Sequence, residues 1–386
     1  MNLDCEVASL AQRLVRAPSE NPPGREAAAA EVLAEQATRW GLQVTGSEVA
    51  KGRTNVVIRL PGAGSAPSLV YCGHLDTVPC GDREWEVDPL SGVVRDGHLW
   101  GRGAVDMKGG LAAMLTSLAV LGGGDTRLPG DVVLAAVVGE EVDCAGSRHL
   151  SNTEIIDDAG WLVVGEPTGL DLVIAHKGAI RIELTVHGKA AHGAAPELGM
   201  NAIIAMARLL SALEIFPPTA QRHPLLGSPT ASLNTIKGGT AINVVPDSCR
   251  AVLDVRTIPG AETDDILEAI NETADHVRAV MPGIGVEAKI LHERASVSTP
   301  PDHQLVRAAQ HAASRTLGSH RPMRGAAYFS DASVLSPPRN LPTILFGPGE
   351  ESFMHRPNER VSLTALSKAA RFFATLPTSL FSLDLS

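Results

Sequence analysis

Two adjacent glutamates, Glu140 and Glu141, follow the apolar run DVVLAAVV. The run is typical of a buried strand, along which neighbouring side chains point to opposite faces. Two neighbouring carboxylates can therefore serve one site only if the strand has ended and a loop carries them both. Carboxylates in such a loop can bind a metal ion or accept a proton during catalysis.

Other side chains that can bind a metal ion also follow apolar stretches and lie close to glycine. This placement predicts loops at the carboxyl edge of a sheet, where open α/β folds bind their ligands. Histidines and carboxylates without thiolates suit a catalytic zinc site, although Mn²⁺ and Co²⁺ use similar ligands. Two ions roughly 3.5 to 4 Å apart would need a shared carboxylate. The candidates are His74 and Asp76 in HLDTVP, Asp106 in GRGAVDMKGG, Glu140 and Glu141, Glu166 in GEPT, and His355 in HRPNER.

Each of these acids, taken alone, has a simpler interpretation as a solvated side chain or a helix cap. The candidates nevertheless lie in five separate loops, each at the end of an apolar stretch. A shared placement of this kind favours one convergent site over five coincidences.

The elements that must position these residues alternate between helix and strand. Apolar residues recur at helical spacing in some segments and form short buried runs in others. This order predicts an α/β fold with a mostly parallel, buried sheet. The predicted helices span 3–16, 25–39 and 106–121, and the predicted strands span 42–50, 54–60, 68–73, 131–138, 161–165 and 341–347.

The pattern changes near residue 172, where LVIAHKGAIRIELTVHG alternates like one strand with an exposed face. From there the predicted order is strand, helix, strand, strand, helix, strand, which is the ferredoxin-like pattern. We therefore predict an inserted α+β domain at 177–291, between the two parts of the domain that carries the candidate ligands, 1–176 and 292–386. Such a domain could serve as a lid or as a dimerisation surface.

Length, charge and cysteine content restrict the class of protein. The 386 residues suffice for two domains, at roughly 100 to 200 residues each. The net charge of −10, without a dense basic cluster, argues against a nucleic-acid partner. We find no apolar run of roughly 20 residues and no basic start typical of a signal peptide, so we expect a cytoplasmic protein without a membrane partner. The five cysteines are scattered and lack a C-x-x-C pair, which argues against a disulfide framework.

Several motifs resemble, in the same order, those of one enzyme family. This is the dinuclear-zinc aminoacylase, acetylornithine deacetylase, succinyl-diaminopimelate desuccinylase and carboxypeptidase G family. The resemblance runs nearly end to end, and HLDTVP, GRGAVDMKGG and GEE in this order are its most specific part. The remaining motifs are SENPPGRE, GEPT, HGKAAHGAAPELGMNAI and HRPNERV.

The resemblance implies two zinc ions that share the carboxylate of Asp106. One ion would also bind His74 and Glu166, and the other would also bind Glu141 and His355. Zn²⁺ is the expected metal, with Co²⁺ or Mn²⁺ as alternatives.

The resemblance also divides the work of the acids that do not hold metal. Asp76 would accept the imidazole proton of His74 and so determine the tautomer of that ring. Glu140 would stay off the metal and act as the general base, taking a proton from the water shared by the two ions. Glu141 would neutralise metal charge, which explains why two adjacent carboxylates are needed.

Outside the metal ligands, the resemblance implies that His192 helps to stabilise the oxyanion of the tetrahedral intermediate, often across a dimer. Asn243 and Arg256 match positions that hold the substrate carboxylate, and Lys177 lies where the family often has a basic residue. Ser330 and its neighbour Asp331 lie in RGAAYFSDASVL, which resembles a loop that places residues near the scissile group in the family.

Three of these residues, and Asp331 beside Ser330, also have a simpler interpretation. His192 could be a loop histidine in contact with solvent, and Asn243 a turn asparagine. Arg256 could form a salt bridge at a strand edge, and Asp331 could be a helix N-cap.

The resemblance thus implies a metal-dependent amidohydrolase that removes a small acyl group from an N-acyl amino acid and forms a homodimer through the inserted domain. A dipeptidase or carboxypeptidase of the same family, acting on short peptides, is the alternative within this chemistry. A scaffold that binds metal or ligand without turnover is the alternative from another class. The presence of Glu140, Asp76 and all five implied metal ligands favours an enzyme.

Overall fold

A computed structural model describes residues 1–124, 127–213 and 222–383. The described helices are α1 (Leu3–Arg16), α2 (Ala27–Arg39), α3 (Gly109–Gly122), α4 (Ala145–Ser151), α5 (Ala202–Ala212), α6 (Thr263–Val280), α7 (Gln304–Leu317), α8 (Ala332–Leu335) and α9 (Leu363–Leu383). The described strands are β1 (Gln43–Ala50), β2 (Arg53–Leu60), β3 (Ser68–His74), β4 (Val94–Arg95), β5 (His98–Trp100), β6 (Val132–Val137), β7 (Ala159–Val164), β8 (Leu172–His176), β9 (Gly178–His187), β10 (Ala191–His192), β11 (Thr230–Gly238), β12 (Val244–Val245), β13 (Ser248–Thr257), β14 (Gly285–Arg294), β15 (Val297–Ser298), β16 (Met323–Ala326), β17 (Thr343–Leu345) and β18 (Arg360–Ser362).

The chain divides into two compact units, which are described one at a time. The first contains Met1–Ala175, Ser298–Gly325 and the segment that begins at Ser330. The second contains His176–Val297 together with the short segment Ala326–Phe329.

The second unit continues past 291, the predicted end of the inserted domain. Strand β14 remains paired with β9 as far as Arg294, which lies opposite Ala179. The later segment adds Phe329, whose ring centroid is 5.8 Å from the guanidinium carbon of Arg294 and 5.8 Å from that of Arg256. These contacts between residues distant in sequence assign 326–329 to the second unit.

The central sheet of the first unit has the strand order β1-β2-β6-β3-β7-β17-β8. Strands β6, β3, β7 and β17 run parallel, whereas the strands on either side of them pair antiparallel. Both β3 and β6 are buried along their whole length, as expected for parallel strands covered on both faces. The predicted fold class, α/β with a mostly parallel sheet, is confirmed.

Helix α3 begins directly after the loop that carries Asp106, and its first ten residues are buried. A Cβ added at Gly110 would lie 2.2 Å from the carbonyl oxygen of Gly165. Glycine is therefore required there, because it allows the start of α3 to approach the loop that carries Glu166. The close approach brings two candidate ligands from distant parts of the sequence to one place.

The segment Ala104–Gly122 is long and apolar enough to cross a membrane by the criteria of length and composition, with a mean hydropathy of 1.4. In the described part of the chain it is the one helix that meets both criteria. However, 83% of its most apolar window is buried inside the protein. Core helices meet the same criteria, and burial of this degree is what a core helix shows.

The second unit has a four-stranded antiparallel sheet in the order β11-β13-β9-β14. In chain order its main elements are β9, α5, β11, β13, α6 and β14, which is the ferredoxin-like pattern predicted from the sequence. Alternate residues of β9, such as Ile182 and Leu184, join Met206 of α5 and Ile270 of α6 in one apolar core. The remaining face of β9 is more polar.

The stretch 172–188, predicted to be one strand, forms two strands in the structure. Strand β8 ends at His176 and β9 begins at Gly178. Lys177 lies between them, and its backbone N–H donates to the carbonyl oxygen of Ala326 at 3.0 Å. The β8 strand is buried along its whole length, whereas the burial of β9 alternates only from Ile180 onward.

Candidate metal centre

The candidate ligands of the first unit lie where the central strands of its sheet end. Strand β3 ends at His74, and Glu140 follows three residues after the end of β6 at Val137. Glu166 follows two residues after the end of β7 at Val164. Because His74 lies opposite Val137 in the parallel register, these loops leave the sheet at the same edge.

The carboxylate of Asp106 lies between two imidazoles. Its Oδ1 is 3.0 Å from Nε2 of His74, and its Oδ2 is 3.1 Å from Nε2 of His355. Glu141 Oε2 is 3.1 Å from the same His355 nitrogen, and Glu166 Oε1 is 4.0 Å from the His74 nitrogen. Asp106 therefore lies between two groups of candidate ligands, and this grouping is the one expected from the sequence resemblance.

Burial controls the ionisation of the acids in this cluster, because it disfavours the charged form. Burial raises the pKa of Glu166 well above its usual value, and the nearby Asp106 raises it further. The pKa of Glu141 is raised for the same two reasons. Asp106 differs, because hydrogen bonds from His355 and His74 outweigh the effect of burial and lower its pKa.

The imidazoles carry the balancing positive charge. Hydrogen bonds to Asp106 and Glu141 raise the pKa of His355 to about 10. Burial alone would lower the pKa of His74, but its hydrogen bonds to Asp106 and Asp76 raise it well above the usual value. Both imidazole rings therefore contact carboxylates that favour their protonated, positively charged form.

This donor set fits divalent cations. Ligand atoms of His74, Asp106 and Glu141 all lie within 4.8 Å of one another. Within the described ranges, no lysine or arginine forms an ion pair with Glu141 or Glu166, so the buried carboxylates lack a permanent counter-charge. Imidazole and carboxylate ligands without thiolates suit Zn²⁺, and they also accept Mn²⁺ or Co²⁺.

Asp76 is fully buried beneath this cluster. Its Oδ1 accepts hydrogen bonds from the backbone N–H groups of Gly139 at 3.0 Å and Glu140 at 3.1 Å. Its Oδ2 accepts from the backbone N–H of Glu141 at 3.2 Å and from Nδ2 of Asn21 at 2.9 Å. One carboxylate therefore holds the whole glutamate loop.

The contact between Asp76 and His74 differs in detail from the expectation. Nδ1 of His74 is 2.9 Å from the backbone carbonyl oxygen of Asp76 and 3.6 Å from its carboxylate. The carbonyl is therefore the nearer acceptor of the imidazole proton. Because a carbonyl can only accept, the contact places a proton on Nδ1, while Nε2 faces the carboxylate of Asp106.

Glu140 is 9% exposed and differs from Glu141 in its contacts. Glu141 approaches His355, whereas Glu140 forms no ion pair with an imidazole in the part of the chain that the structure describes. Burial raises the pKa of Glu140 well above its usual value, against the opposing effect of His74. The two adjacent acids thus occupy different electrostatic environments.

In the second unit, the structure brings His192 and Asn243 together. His192 in β10 lies opposite Val244 in β12, and the backbone N–H of Gly193 donates to the carbonyl oxygen of Asn243 at 2.7 Å. Nδ1 of His192 accepts from the backbone N–H of Ala194 at 3.0 Å. The His192 ring is exposed.

Arg256 and Lys177 also lie in the second unit and have protein partners. Nε of Arg256 donates to Asp254 at 2.7 Å, the salt bridge that was its alternative interpretation. Nζ of Lys177 donates to the carbonyl oxygen of Ser228 at 2.7 Å. Burial, and the positive charge of Arg256, lower the pKa of Lys177.

Ser330 and Asp331 are both fully buried in the first unit. The Oγ of Ser330 accepts from the backbone N–H of Ala332 at 3.3 Å, at the start of α8. Asp331 makes no side-chain hydrogen bond as a cap of α8, and it accepts instead from the hydroxyl of Ser147. Asp331 therefore occupies the N-cap position of α8 without the side-chain bond of a cap, and substrate contact by Ser330 stays a prediction.

Three residues of this centre have no role in the sequence interpretation. Asn21 in SENPPGRE bonds to Asp76, and Glu359 in HRPNERV bonds to the Asp106 loop. Lys108 is 1% exposed, its Nζ donates to the carbonyl oxygen of Ala17 at 2.7 Å, and burial lowers its pKa to about 7. All three residues lie inside motifs shared with the family, and this position in a motif was the signal in the sequence that could have identified them.

Comparison with known proteins gives relatives of two kinds. Acetylornithine deacetylase of Proteus mirabilis (strain HI4320) is 31% identical over 335 residues, which cover 84% of this chain and 82% of that protein. Acetylornithine deacetylase of Pectobacterium carotovorum subsp. carotovorum (strain PC1) is 31% identical over 299 residues, which cover 76% of this chain and 75% of that protein.

Solved structures share the fold at lower identity. Aminopeptidase PepT from Bacillus cereus ATCC 10987 has a TM-score of 0.81 at 23% identity, with 98% of each chain covered. The YXEP protein of Bacillus subtilis, described as a dinuclear metal binding peptidase from the M20 family, has a TM-score of 0.76 at 18% identity, with 99% of each chain covered. The sequence model of the family described as Peptidase family M20/M25/M40 matches residues 70–379 of this chain. The chain therefore belongs to that family.

Proposed function

We propose that this chain hydrolyses the amide bond of a small N-acyl amino acid. The observation that carries the proposal is the carboxylate of Asp106 placed between His74 and His355. A hydrolase of the peptidase and deacylase type is supported by the family match and by acetylornithine deacetylases at 31% identity. We favour deacylation because those relatives match more closely in sequence than the peptidases of known structure.

We further propose that the centre holds two divalent ions, with Zn²⁺ the best match to the donors. Asp106 would lie between the ions, with His74 and Glu166 on one side and Glu141 and His355 on the other. When bound, such ions lower the pKa of a water molecule toward about 7 and polarise the amide carbonyl.

In this proposal Glu140 transfers the proton. It accepts a proton from the attacking water and donates it to the nitrogen of the departing amine, as amide hydrolysis requires. The raised pKa of Glu140, which burial causes, supports this role because a base works best when its pKa is close to the working pH. The three backbone hydrogen bonds to Asp76 hold the loop so that Glu140 and Glu141 keep separate positions.

For the second unit we propose that His192 stabilises the oxyanion, that Asn243 and Arg256 bind the substrate carboxylate, and that Lys177 lies near the substrate. The pairing of β10 with β12, which keeps His192 beside Asn243, supports a common role for these two residues. Asp254 supports the role of Arg256, because it orients the guanidinium group through Nε. A planar guanidinium suits bidentate recognition of a carboxylate.

We also propose a homodimer formed through the second unit, in the cytoplasm. Strand β11 is an edge strand of its sheet, and all nine of its residues are exposed. Its apolar residues Leu233 and Ile236 are 44% and 52% exposed. An exposed apolar edge is a surface on which strands of two chains can pair. Sedimentation equilibrium of the wild type and of Ile236→Lys tests this, and a monomeric wild type would overturn it.

The test of function is hydrolysis of a panel of substrates by metal-loaded and by chelated protein. The panel contains N-acetyl-ornithine, other N-acetyl amino acids, N-succinyl-diaminopimelate, N-formyl amino acids and simple dipeptides. Metal-dependent cleavage of one acyl class supports the deacylase. Cleavage of dipeptides alone supports the peptidase, and two bound ions without cleavage of any compound favour the scaffold.

A further inference from the structure

The side chain of Glu359 is fully buried, although the loop before it is partly exposed. Its Oε1 accepts hydrogen bonds from two consecutive backbone N–H groups, those of Val105 at 2.8 Å and Asp106 at 3.1 Å. Its Oε2 accepts from Nη1 of Arg102 at 2.6 Å. Both oxygens of one buried acid therefore bind the loop that carries the central carboxylate of the metal centre.

The backbone around Glu359 is joined to the same loop. Its carbonyl oxygen accepts from the backbone N–H of Gly101 at 2.9 Å. The next residue, Arg360, begins β18 and lies opposite Trp100 in β5. His355 precedes Glu359 by only four residues. The contact therefore links the loop of His355 to the loop of Asp106.

The Asp106 loop needs such support because it is not held by regular helical bonds. The backbone of Asp106 has φ −118° and ψ 97°, and that of Met107 has φ −129° and ψ 36°, outside the helical region. The N–H groups of Val105 and Asp106 both donate to the carboxylate of Glu359. A buried N–H without an acceptor costs about 1–3 kcal/mol, so loss of the carboxylate would favour a different loop conformation.

We propose that Glu359 is a positioning residue that fixes the carboxylate of Asp106 relative to His355 and thereby sets the affinity of the centre for divalent cations. The inference rests on the proposed metal site and adds a residue outside the ligands. It acts through two backbone amides, and it touches neither substrate nor metal.

A single substitution would not test this cleanly, because Glu359 and Arg102 form a buried ion pair. Their side chains are 0% and 4% exposed. Removal of one partner leaves a buried charge without compensation, which is strongly destabilising for reasons unrelated to the metal. The first test therefore removes the ion pair in both variants that it compares and changes only the acceptor.

Two double variants meet this requirement, Arg102→Met with Glu359→Gln and Arg102→Met with Glu359→Leu. They have the same charge and similar side-chain volume, but only the glutamine offers an oxygen to the amides of Val105 and Asp106. Zn²⁺ affinity and stoichiometry are measured without substrate, by competition with a chromogenic chelator, and thermal unfolding is recorded for the metal-free proteins.

We expect the leucine variant to bind at least one Zn²⁺ about 10–100-fold more weakly than the glutamine variant, which is the usual effect of losing a group that orients a ligand. Equal affinities in the two variants, with two ions bound to each, would overturn the role of Glu359 and leave the metal site intact. A wild-type chain that binds no Zn²⁺ would overturn the metal site and this inference with it.

If the leucine variant does not fold, Glu359→Asp is compared with the wild type. Aspartate keeps both charges of the buried ion pair but is one carbon shorter, so it cannot reach both amides and Arg102 together. Weaker Zn²⁺ binding by the aspartate variant than by the wild type supports the proposal, and equal binding overturns it.

Discussion

The carboxylate of Asp76 accepts a hydrogen bond from the backbone N–H of Glu141 at 3.2 Å, although the two residues are 65 positions apart in the sequence. The same carboxylate binds the amides of Gly139 and Glu140, and the carbonyl oxygen of Asp76 lies 2.9 Å from the imidazole of His74. One buried residue thus orders both the candidate ligand His74 and the glutamate pair.

This arrangement predicts that Asp76→Asn lowers metal affinity by about 10–100-fold. Asparagine has nearly the same shape, but its NH₂ group cannot accept the backbone hydrogen bonds that one carboxylate oxygen now receives. Chelator competition measures the change, and Asp82→Asn, at an exposed position, is the control. Unchanged affinity in Asp76→Asn would show that the glutamate loop does not need this acceptor.

The separation of the two glutamates predicts different effects of Glu140→Gln and Glu141→Gln. Glu140→Gln should keep two ions per chain and lose roughly 10²–10⁴-fold in kcat, the usual contribution of a general base. Glu141→Gln should lose metal, because Glu141 lies 3.1 Å from His355 within the ligand group. Metal analysis and kinetics on both proteins check this. Loss of metal from Glu140→Gln would reverse the assigned roles.

Metal removal should lower the thermal stability of the protein. A cation that binds only the folded chain stabilises it by about 2.7 kcal/mol when its free concentration is 100-fold above Kd. Differential scanning calorimetry should therefore show a lower Tm after chelation and recovery after Zn²⁺ is restored. In Asp106→Asn, where the shared carboxylate is lost, the difference between the two conditions should be much smaller. An equal difference would place the stabilising ion elsewhere.

If His192 stabilises the oxyanion, His192→Ala should lower kcat by roughly 10²–10³-fold and change KM much less. The interaction exists mainly in the transition state, so substrate binding should be largely kept. His187→Ala is the matched control, since His187 is also exposed and lies in the same unit. A raised KM with unchanged kcat would assign His192 to ground-state binding.

The fully buried His176 predicts a pH dependence of stability. Burial lowers its pKa from 6.5 to about 4, and its Nε2 has no hydrogen-bond partner in the described part of the protein. Between these values the unfolded chain binds a proton that the folded chain does not, so the free energy of unfolding rises with pH and falls as pH drops from 6.5 to about 4. The full effect is about 3 kcal/mol.

His176→Asn should remove this part of the pH dependence, because asparagine does not titrate but can still donate to the carbonyl oxygen of Lys177. Urea unfolding at a series of pH values between 4 and 7 measures the difference from the wild type. His320→Asn, at an exposed position, is the control. Parallel profiles for the wild type and His176→Asn would contradict the prediction.

Much of the candidate centre could be predicted from local pattern. His74, Glu140 and Glu166 each follow an apolar run, and such runs are buried strands in the structure. Since the carboxyl ends of parallel strands meet at one edge, strand-end residues converge without further information. The α/β fold class and the ferredoxin-like order of the second unit follow from the same periodicities.

Other features could not be predicted because they depend on partners that local pattern does not specify. The break at Lys177 was not predicted, and there the backbone N–H of Lys177 donates to Ala326, a residue far away in the sequence. Ser330 lies in a motif of the family, yet its hydroxyl is buried at the start of α8. Burial and hydrogen-bond partners of this kind follow from packing between distant segments.

The sequence by itself determined which residue types stand at which strand ends, and hence the ligand chemistry of the centre, because apolar periodicity and side-chain type are local properties. Only the tertiary structure decided how those residues are held. The bond from Asp106 N–H to Glu359 joins residues 253 positions apart, and the bond from Asn21 to Asp76 joins residues 55 positions apart. Contacts over such separations form only when folding buries both partners together, so no local pattern encodes them.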